Sequence, residues 1–241
     1  MMQRIVGFVF ARGGSKGVPG KNLRPLDGIP LTGLAIRSAL ASRYLDRVVV
    51  STDCPEIAHV ARRYGAEVPL LRPAELARDA APERLAWRHA IEQIEAQDRQ
   101  RLDVMVSVPP TCPLRSSDDI DRCIHRLLSG TADIVLTATE SRSNPYFNMI
   151  TIGSDGQAKL AAKPASAVCR RQDAPVVYDL TAVAYAARRD SVFEHDSIFD
   201  GVAEVVVVPA ERAVDIDTEF DLELAEFLMR RRRTTTASSA V

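Results

Sequence analysis

The sequence predicts an α/β protein in which a mainly parallel sheet is covered by helices on both faces. Short, almost wholly apolar runs recur along the chain, and segments with apolar residues at helical spacing separate them. A parallel strand that is buried on both faces has such a continuous apolar run. A surface helix instead repeats its apolar residues every three or four positions. Alternation of the two patterns is typical of β-α-β units, whose strands are parallel.

Strands and helices alternate over roughly the first 140 residues. Gly65 fits the end of one helix, because glycine readily adopts the left-handed conformation found there. Ser116 or Ser117 fits the start of another, with Asp118 and Asp119 favourable at the positive end of the helix dipole. We predict strands at residues 5–10, 47–51, 67–71, 104–108 and 134–139, and helices at residues 32–42, 56–64, 82–97 and 116–128.

The pattern changes after residue 140. Residues 144–177 contain scattered prolines and glycines with short β-like pieces, and Ser154-Asp155-Gly156 is typical of a hairpin turn. We expect two further strands at 176–186 and 202–208, a last helix at 220–230, and a flexible tail at 230–241. No internal repeat or long linker divides the chain, so residues 1–241 are expected to form a single domain.

Composition limits the classes of partner. The chain has 241 residues with 31 Lys and Arg against 32 Asp and Glu, a net charge of −1. This balance argues against a nucleic-acid or membrane-surface binder, so any anion site must be local. No apolar run approaches the ~18 residues of a membrane span. The four cysteines lack paired spacing, which favours reduced thiols and a cytoplasmic protein over a zinc site or a disulfide framework.

The segment ARGGSKGVPGKN, residues 11–22, follows the first predicted strand. It holds four glycines and three cations within twelve residues. Glycines let backbone N–H groups approach phosphates closely, and lysines add mobile positive charge. The spacing matches neither GxxxxGK[ST] nor GxGxxG. A solvent-exposed basic turn is the alternative, but the density of glycines and cations at the carboxyl edge of a strand favours a nucleotide triphosphate site.

The segment AVDIDTEFD, residues 213–221, supplies a second candidate. On a strand Asp215 and Asp217 point to the same face, and Mg²⁺ would neutralise their repulsion with oxygen ligands. Alternatively, Asp217 or Thr218 caps the helix that follows. Both interpretations can hold together, with Asp217 the more cap-like residue. Asp53, after another strand, either meets a ligand at the same sheet edge or caps the next helix.

Four segments together resemble one family, the CMP-sialic acid synthetases or acylneuraminate cytidylyltransferases. They are residues 11–22, 48–79, 109–121 and 214–228, and they follow the order of the family along most of the chain. The resemblance implies a Rossmann-like nucleotidyltransferase that is usually dimeric and uses CTP with Mg²⁺. A sugar hydroxyl would attack the α-phosphate of CTP, and pyrophosphate would leave.

The resemblance also assigns roles to individual residues. Lys21, Arg12 and Asp217 would be catalytic, with Lys21 stabilising the leaving group. Arg72 would lie near the cytosine or ribose, and Asp215 would hold Mg²⁺ together with Asp217. The residues expected to bind the nucleotide are Arg12, Gly13, Gly14, Ser15, Lys16, Lys21, Asn22 and Arg72.

The acceptor end departs from the family. Pro109 replaces a glutamine, Cys112 replaces a serine, RDAAP replaces SDTAS, and VYDLTAVAY replaces a segment with Asn-Gly. The residues expected to bind the acceptor are Thr111, Tyr178, Asp179 and Thr181, with Arg171 and Gln172 of a dimerisation extension at 144–177 reaching the partner's site. We therefore expect a legionaminic- or pseudaminic-type acceptor. An eight-carbon ulosonate, another anionic acceptor such as a phosphonate, and a non-catalytic nucleotide binder remain alternatives.

Overall fold

The computed structural model describes residues 3–163, 168 and 170–238, with side chains as far as residue 234. Cys169, part of the extension and the end of the predicted tail therefore lie outside the described residues. The strands, in chain order, are β1 (Ile5–Phe10), β2 (Pro25–Leu26), β3 (Ile29–Pro30), β4 (Val48–Ser51), β5 (Val104–Ser107), β6 (Ile134–Glu140), β7 (Ile150–Ile152), β8 (Ala158–Leu160), β9 (Tyr178–Arg188) and β10 (Ala203–Val207).

Six strands form the central sheet in the order β10-β6-β9-β5-β1-β4. The pairs β1–β4, β1–β5 and β10–β6 are parallel, whereas β9 runs antiparallel to both β5 and β6. The prediction of a mainly parallel sheet is therefore confirmed, with one antiparallel strand inserted at its centre. The remaining strands form the two-stranded pairs β2–β3 and β7–β8.

Helices cover both faces of the sheet, as predicted. One large apolar cluster packs α1, α2 and α4 against one face, and a second packs α3 and α5 against the other face through Trp87, Ile91 and Val192. The helices are α1 (Leu31–Leu40), α2 (Pro55–Arg63), α3 (Glu83–Asp98), α4 (Ser117–Ser129), α5 (Arg189–Glu194) and α6 (Glu219–Ser238). Among the described residues, no helix has the length and apolar character needed to span a membrane.

Two predicted elements have different bounds. The strand predicted at 67–71 is reduced to one bridge between Glu67 and Val49, since Pro69 lacks the N–H that a ladder needs. The last helix does not end at residue 230, where the flexible tail was predicted to begin, but continues to Ser238. Arg232 donates to the carbonyls of Leu114 and Glu211, which ties that part of the helix to the body of the protein.

Serine capping fixes the start of α4. Ser116, rather than Ser117, is the N-cap, and its hydroxyl and backbone N–H form a reciprocal pair of bonds with Asp119.

Cys112 and Cys123 are buried in the core, and burial raises the pKa of each thiol to about 12. Neither side chain is therefore a reactive thiolate at neutral pH.

The predicted extension leaves the central sheet. Strands β7 and β8 form an antiparallel hairpin whose turn contains Gly156 at φ 78°, which confirms the turn expected at residues 154–156. Three apolar side chains of this hairpin are strongly exposed, Ile150, Ile152 and Leu160. Such a patch on a short hairpin is typical of a surface that meets another protein.

The acidic segment 213–217 is docked onto the glycine-rich loop. It is irregular rather than a strand, so the expectation that Asp215 and Asp217 share one face of a strand is wrong. Ile216 is fully buried in a third apolar cluster with Val18 and Leu114, and its backbone N–H donates to the Thr111 carbonyl at 2.9 Å. These contacts point the neighbouring acidic side chains outward.

Gly17 brings the loop and the acidic segment into direct backbone contact. A Cβ at Gly17 would lie far inside van der Waals distance of the Asp217 carbonyl oxygen. Lys21 closes the same junction, because its ammonium group donates to the Ile216 carbonyl. Only glycine permits this approach at residue 17.

A buried ion pair anchors the chain just before the acidic segment. Arg212 donates two hydrogen bonds of 2.9 Å to the carboxylate of Asp119, which is fully buried. Burial disfavours the charged carboxylate, but the bonds from Arg212 and Ser116 outweigh it and lower the pKa of Asp119. The resulting stabilisation is present above the ordinary pKa of an aspartate and is lost as the pH falls through the lowered pKa.

We predict that Arg212→Met lowers the free energy of unfolding by about 3 kcal/mol at pH 7, because it leaves a buried carboxylate without its cation. Urea unfolding followed by circular dichroism measures the change. The deficit should shrink as the pH falls below the ordinary pKa of an aspartate, because a protonated Asp119 needs no cationic partner. Arg126→Met is the control, since its exposed pair with Glu204 should contribute less than about 1 kcal/mol. Equal losses in the two variants would contradict this account.

We also predict that Gly17→Ala lowers the free energy of unfolding by about 1–3 kcal/mol, the usual cost of overpacking. Gly14→Ala is the matched control, because a Cβ at Gly14 meets nothing within 4 Å. The melting temperature of the Gly14 variant should equal that of the wild type. A Gly17 variant that melts with the wild type would refute the close approach of the two segments.

Candidate active site

A cleft of about 620 Å³ opens at the carboxyl ends of β1 and β5. The glycine-rich loop forms one wall, the start of α3 and the residues before it form another, and residues 109–111 with β9 close the third side. Charged side chains occur along its whole length. Among the lining residues are Phe10, Arg12, Ser15, Lys16, Lys21, Asn22, Arg72, Asp79, Glu83, Thr111, Tyr185 and Asp217.

The loop is held in shape by hydrogen bonds beneath it. The Gly13 backbone N–H donates to the Asp53 carboxylate at 2.9 Å, so Asp53 supports the loop instead of capping α2, whose N-cap is Cys54. The Asn22 amide donates to the Arg12 carbonyl at 2.9 Å, and the Thr32 hydroxyl donates to the Asn22 carbonyl at 2.8 Å. These three bonds shape the loop without involving the side chains of Arg12, Lys16 or Lys21.

Those cationic side chains converge on carboxylates inside the cleft. Arg12 and Lys16 both pair with Asp79, and hydrogen bonds from Lys16 and then Arg12 lower the pKa of that carboxyl group. Lys21 pairs with Asp217 at 3.0 Å, and only 13% of the Lys21 side chain is exposed. A bound polyphosphate would compete with these carboxylates for the same three cations.

Asp217 is free of the capping role that the sequence suggested for it. The backbone of Thr218 donates to Asp221 at 2.7 Å, and the Thr218 hydroxyl accepts from the Asp221 N–H at 3.3 Å. Thr218 and Asp221 thus cap α6 between them, and the expectation that Asp217 is the more cap-like residue is wrong. The Asp217 side chain, 75% exposed, faces Lys21 in the cleft.

Of the two predicted metal ligands, Asp217 lines the cleft and Asp215 does not. Asp215 is exposed and is not one of the cleft-lining residues, although its charge acts on buried Cys112 and Arg115. Within the described ranges, no group of three or more His, Cys, Asp or Glu residues could hold a metal. Mg²⁺ is commonly bound by one or two carboxylates together with substrate phosphates, which two aspartates can provide.

Arg72 and Glu83 line the part of the cleft formed by the start of α3 and the residues before it, and Glu83 is bonded to Trp87 in the core. Arg72 is 8% exposed, and its Nε atom has no hydrogen-bond partner among the described residues. Burial lowers the pKa of the Arg72 guanidinium, which the charges of Asp53 and Glu83 oppose. The Trp87 indole N–H donates to Glu83 at 3.1 Å. Glu83 was not predicted from the sequence, because an acidic residue in the first turn of a helix normally serves the helix dipole.

The predicted acceptor residues are not gathered in one place. Thr111 lines the cleft, but Thr181 is buried and its hydroxyl donates to the Thr137 hydroxyl at 2.9 Å, so this side chain faces the sheet interior. Tyr178 and Asp179 are exposed at the start of β9, outside the cleft lining. Arg171 and Gln172 lie on an exposed turn of the extension, also outside the cleft.

Buried Arg115 ties together the two segments that form the third side of the cleft. Its guanidinium donates to the carbonyls of Val183 at 2.7 Å and Ala182 at 3.3 Å in β9, and to the Pro109 carbonyl. Burial lowers the pKa of Arg115 to about 10, so it stays positively charged at neutral pH. Neighbouring Cys112 packs in the core, so its replacement of serine does not alter the cleft surface.

Comparison with known proteins identifies the family. A profile of the family described as Cytidylyltransferase matches residues 6–234. The chain is 35% identical over 228 residues to the CMP-N,N'-diacetyllegionaminic acid synthase of Campylobacter jejuni, covering 95% of this chain and 96% of that protein. It is 31% identical over 223 residues to a pseudaminic acid cytidylyltransferase of Campylobacter jejuni, covering 92% and 95%.

A solved structure agrees with the fold. The CMP:2-keto-3-deoxy-manno-octonic acid synthetase complexed with CTP superposes with a TM-score of 0.72 at 16% identity, covering 95% of this chain and all of that one. This likeness shows the fold alone. The family profile and the two relatives cover nearly the whole chain, and they confirm the resemblance found in the sequence: this chain belongs to the cytidylyltransferase family of nucleotidyltransferase enzymes.

Proposed function

We propose that this enzyme transfers CMP from CTP to the anomeric hydroxyl of an ulosonic acid and releases pyrophosphate. The observation that carries the proposal is the single cleft in which the glycine-rich loop meets Asp217, within a chain of the cytidylyltransferase family. The loop offers backbone N–H groups and three cations for a triphosphate, and the cleft continues from there to Arg72 and Glu83.

The proposed reaction is a displacement at phosphorus. The acceptor hydroxyl oxygen attacks the α-phosphorus, the bond from that phosphorus to the bridging oxygen breaks, and pyrophosphate leaves with the electron pair while the hydroxyl proton is lost to solvent. Arg12, Lys16 and Lys21 bind the negative charge of the triphosphate, with Lys21 on the leaving pyrophosphate. Asp215 and Asp217 would hold Mg²⁺, which supplies charge neutralisation and activates the attacking hydroxyl.

We propose a nine-carbon acceptor of the legionaminic or pseudaminic type. Two relatives that cover almost the entire chain are named for these sugars. Pro109 lines the cleft where the resembling family has a glutamine, and a proline has no side-chain donor or acceptor for a sugar. Thr111 is the acceptor-binding candidate that lines the cleft of a single chain, and Tyr178 and Asp179 remain exposed candidates outside the cleft lining.

We further propose that the enzyme works as a homodimer. The exposed apolar side chains of the β7–β8 hairpin support an interface at the extension, where they would leave water on association. An extension that crosses to the partner would carry Arg171 and Gln172 toward the partner's cleft. We also propose that the enzyme works in the cytoplasm, where its cysteines would stay reduced.

Pyrophosphate release tests the proposed function. Each of the four ribonucleoside triphosphates is offered with Mg²⁺ and with N-acetylneuraminic, legionaminic, pseudaminic or eight-carbon ulosonic acid. We expect release with CTP and a legionaminic- or pseudaminic-type acid. Turnover with the eight-carbon acid alone would move the proposal to that acceptor. If no combination releases pyrophosphate although the protein still binds CTP, the proposed function is overturned.

We predict that Asp217→Asn lowers the Mg²⁺-dependent kcat/KM by roughly 10²-fold while the melting temperature stays unchanged. Thr218 and Asp221 carry the cap of α6, and the Asp217 carboxylate, which is 75% exposed, adds little stability through its pair with Lys21. Pyrophosphate release at varied Mg²⁺ and thermal unfolding measure the two effects.

Thr218→Ala is the matched control for this prediction. Loss of a helix cap should cost about 1 kcal/mol of stability, and the variant should keep most of its turnover. The opposite pattern, an Asp217 variant that is destabilised yet fully active, would assign Asp217 to the helix end instead of the metal.

A further inference from the structure

Glu83 is a charged residue in the cleft for which the proposed reaction gives no role. It opens α3 directly after Pro82, at the end of the cleft where Arg72 also lies. Among the described residues it forms no ion pair with the cations of the glycine-rich loop, which pair with Asp79 and Asp217 instead. Its charge acts on Arg72 and Tyr185. A carboxylate in this position contributes nothing to triphosphate binding, which it would oppose by repulsion.

The Glu83 carboxylate is oriented by its neighbours. One oxygen accepts the indole N–H of Trp87 at 3.1 Å, and Trp87 itself is 1% exposed in the core. The residue is exposed at its surface, yet the atoms packed around its carboxylate raise the pKa of Glu83, and the bond from Trp87 with the charge of Arg72 opposes that rise. Trp87 thus fixes one carboxylate oxygen and leaves the other free to accept a further hydrogen bond.

Arg72 provides the complementary donor. Its backbone N–H donates to the Thr52 carbonyl at 2.7 Å, which fixes the residue beside β4, and its side chain is more than nine-tenths buried with Nε unpartnered among the described residues. A buried polar atom without a partner costs free energy that a ligand can recover. One end of the cleft therefore offers a donor and an acceptor together.

This pair of groups matches one pyrimidine. Cytosine presents its O2 and N3 atoms as acceptors and its 4-amino group as a donor, whereas uracil presents a carbonyl oxygen at position 4. When the Arg72 guanidinium donates to O2 of the pyrimidine, the Glu83 carboxylate lies next to the group at position 4 of the same ring. The carboxylate then accepts from the amino group of cytosine, but it meets the O4 atom of uracil as a second acceptor.

We propose that Glu83 is a specificity-determining residue that selects CTP over UTP by accepting a hydrogen bond from the 4-amino group of cytosine. Trp87 is a positioning residue for this contact. The inference rests on the proposed function, which makes CTP the nucleotide substrate. It adds to that function the residue that distinguishes cytosine from uracil. A site that is built to pair with a substrate N–H rejects an analogue that lacks it.

A purely structural role makes a different prediction. Glu83 in the first turn of α3 also favours the helix dipole and clamps Trp87. If that were its whole role, replacing it would change stability and weaken both nucleotides alike. Selectivity between CTP and UTP therefore separates the two roles, whatever happens to the melting temperature.

The test is calorimetric binding of CTP and UTP, with Mg²⁺ and without acceptor, to the wild type, Glu83→Ala and Glu83→Gln. We expect the wild type to prefer CTP, and Glu83→Ala to lose at least tenfold of that preference, mainly through weaker CTP binding. In Glu83→Gln the amide can accept from cytosine or donate to uracil, so UTP binding should improve. Glu92→Gln, an exposed carboxylate on the same helix, should keep the wild-type ratio.

The outcomes separate this inference from the proposed function. A wild type that prefers CTP together with Glu83 variants of unchanged preference would overturn the inference and leave the proposed function standing. A wild type that binds CTP no better than UTP would overturn both. Thermal unfolding of each variant confirms that it is folded, and Glu83→Gln supplies a conservative change if Glu83→Ala does not fold.

Discussion

The site depends on one constraint, the backbone contact between the glycine-rich loop and the acidic segment 213–217. Gly17 allows the loop to touch the Asp217 carbonyl, and Ile216 is held from three sides: by the apolar cluster around its side chain, by the Thr111 carbonyl and by Lys21. Residues nearly 200 positions apart in the sequence thereby meet at one sheet edge. Without this contact the cations of the loop and the carboxylates of the segment would belong to separate surfaces.

Charge in this protein is concentrated rather than spread. Although the net charge of the chain is only −1, charged side chains gather in the cleft. Arg12 and Lys16 both form ion pairs with Asp79 there, and Lys21 forms one with Asp217. Internal pairing keeps the cations in place before a ligand arrives, so the charges need little reorganisation when they bind phosphate. Buried Arg115 provides a similar rigidity for the opposite side of the cleft, since it ties Pro109 to β9 through backbone carbonyls alone.

The sequence predicted the architecture well because buried strands and amphipathic helices have distinct periodicities, and it predicted the loop because few folds need so many glycines and cations together. It could not decide between Asp217 and Thr218 as the helix cap, since both types of residue cap helices and only geometry chooses. Thr181 was expected at the sugar but faces the sheet, because strand register is invisible in a single sequence. Glu83 was not predicted as a site residue, because an acidic residue in the first turn of a helix already has an ordinary structural explanation.

We infer that the loop and the acidic segment together form one nucleotide site. The decisive experiment is a crystal structure with CTP and Mn²⁺, with the metal located by anomalous scattering. We expect the triphosphate against residues 12–22, a manganese peak in contact with the Asp217 carboxylate, and the cytosine at the end of the cleft that holds Arg72. A triphosphate bound away from the loop, or a metal held without Asp217, would contradict it.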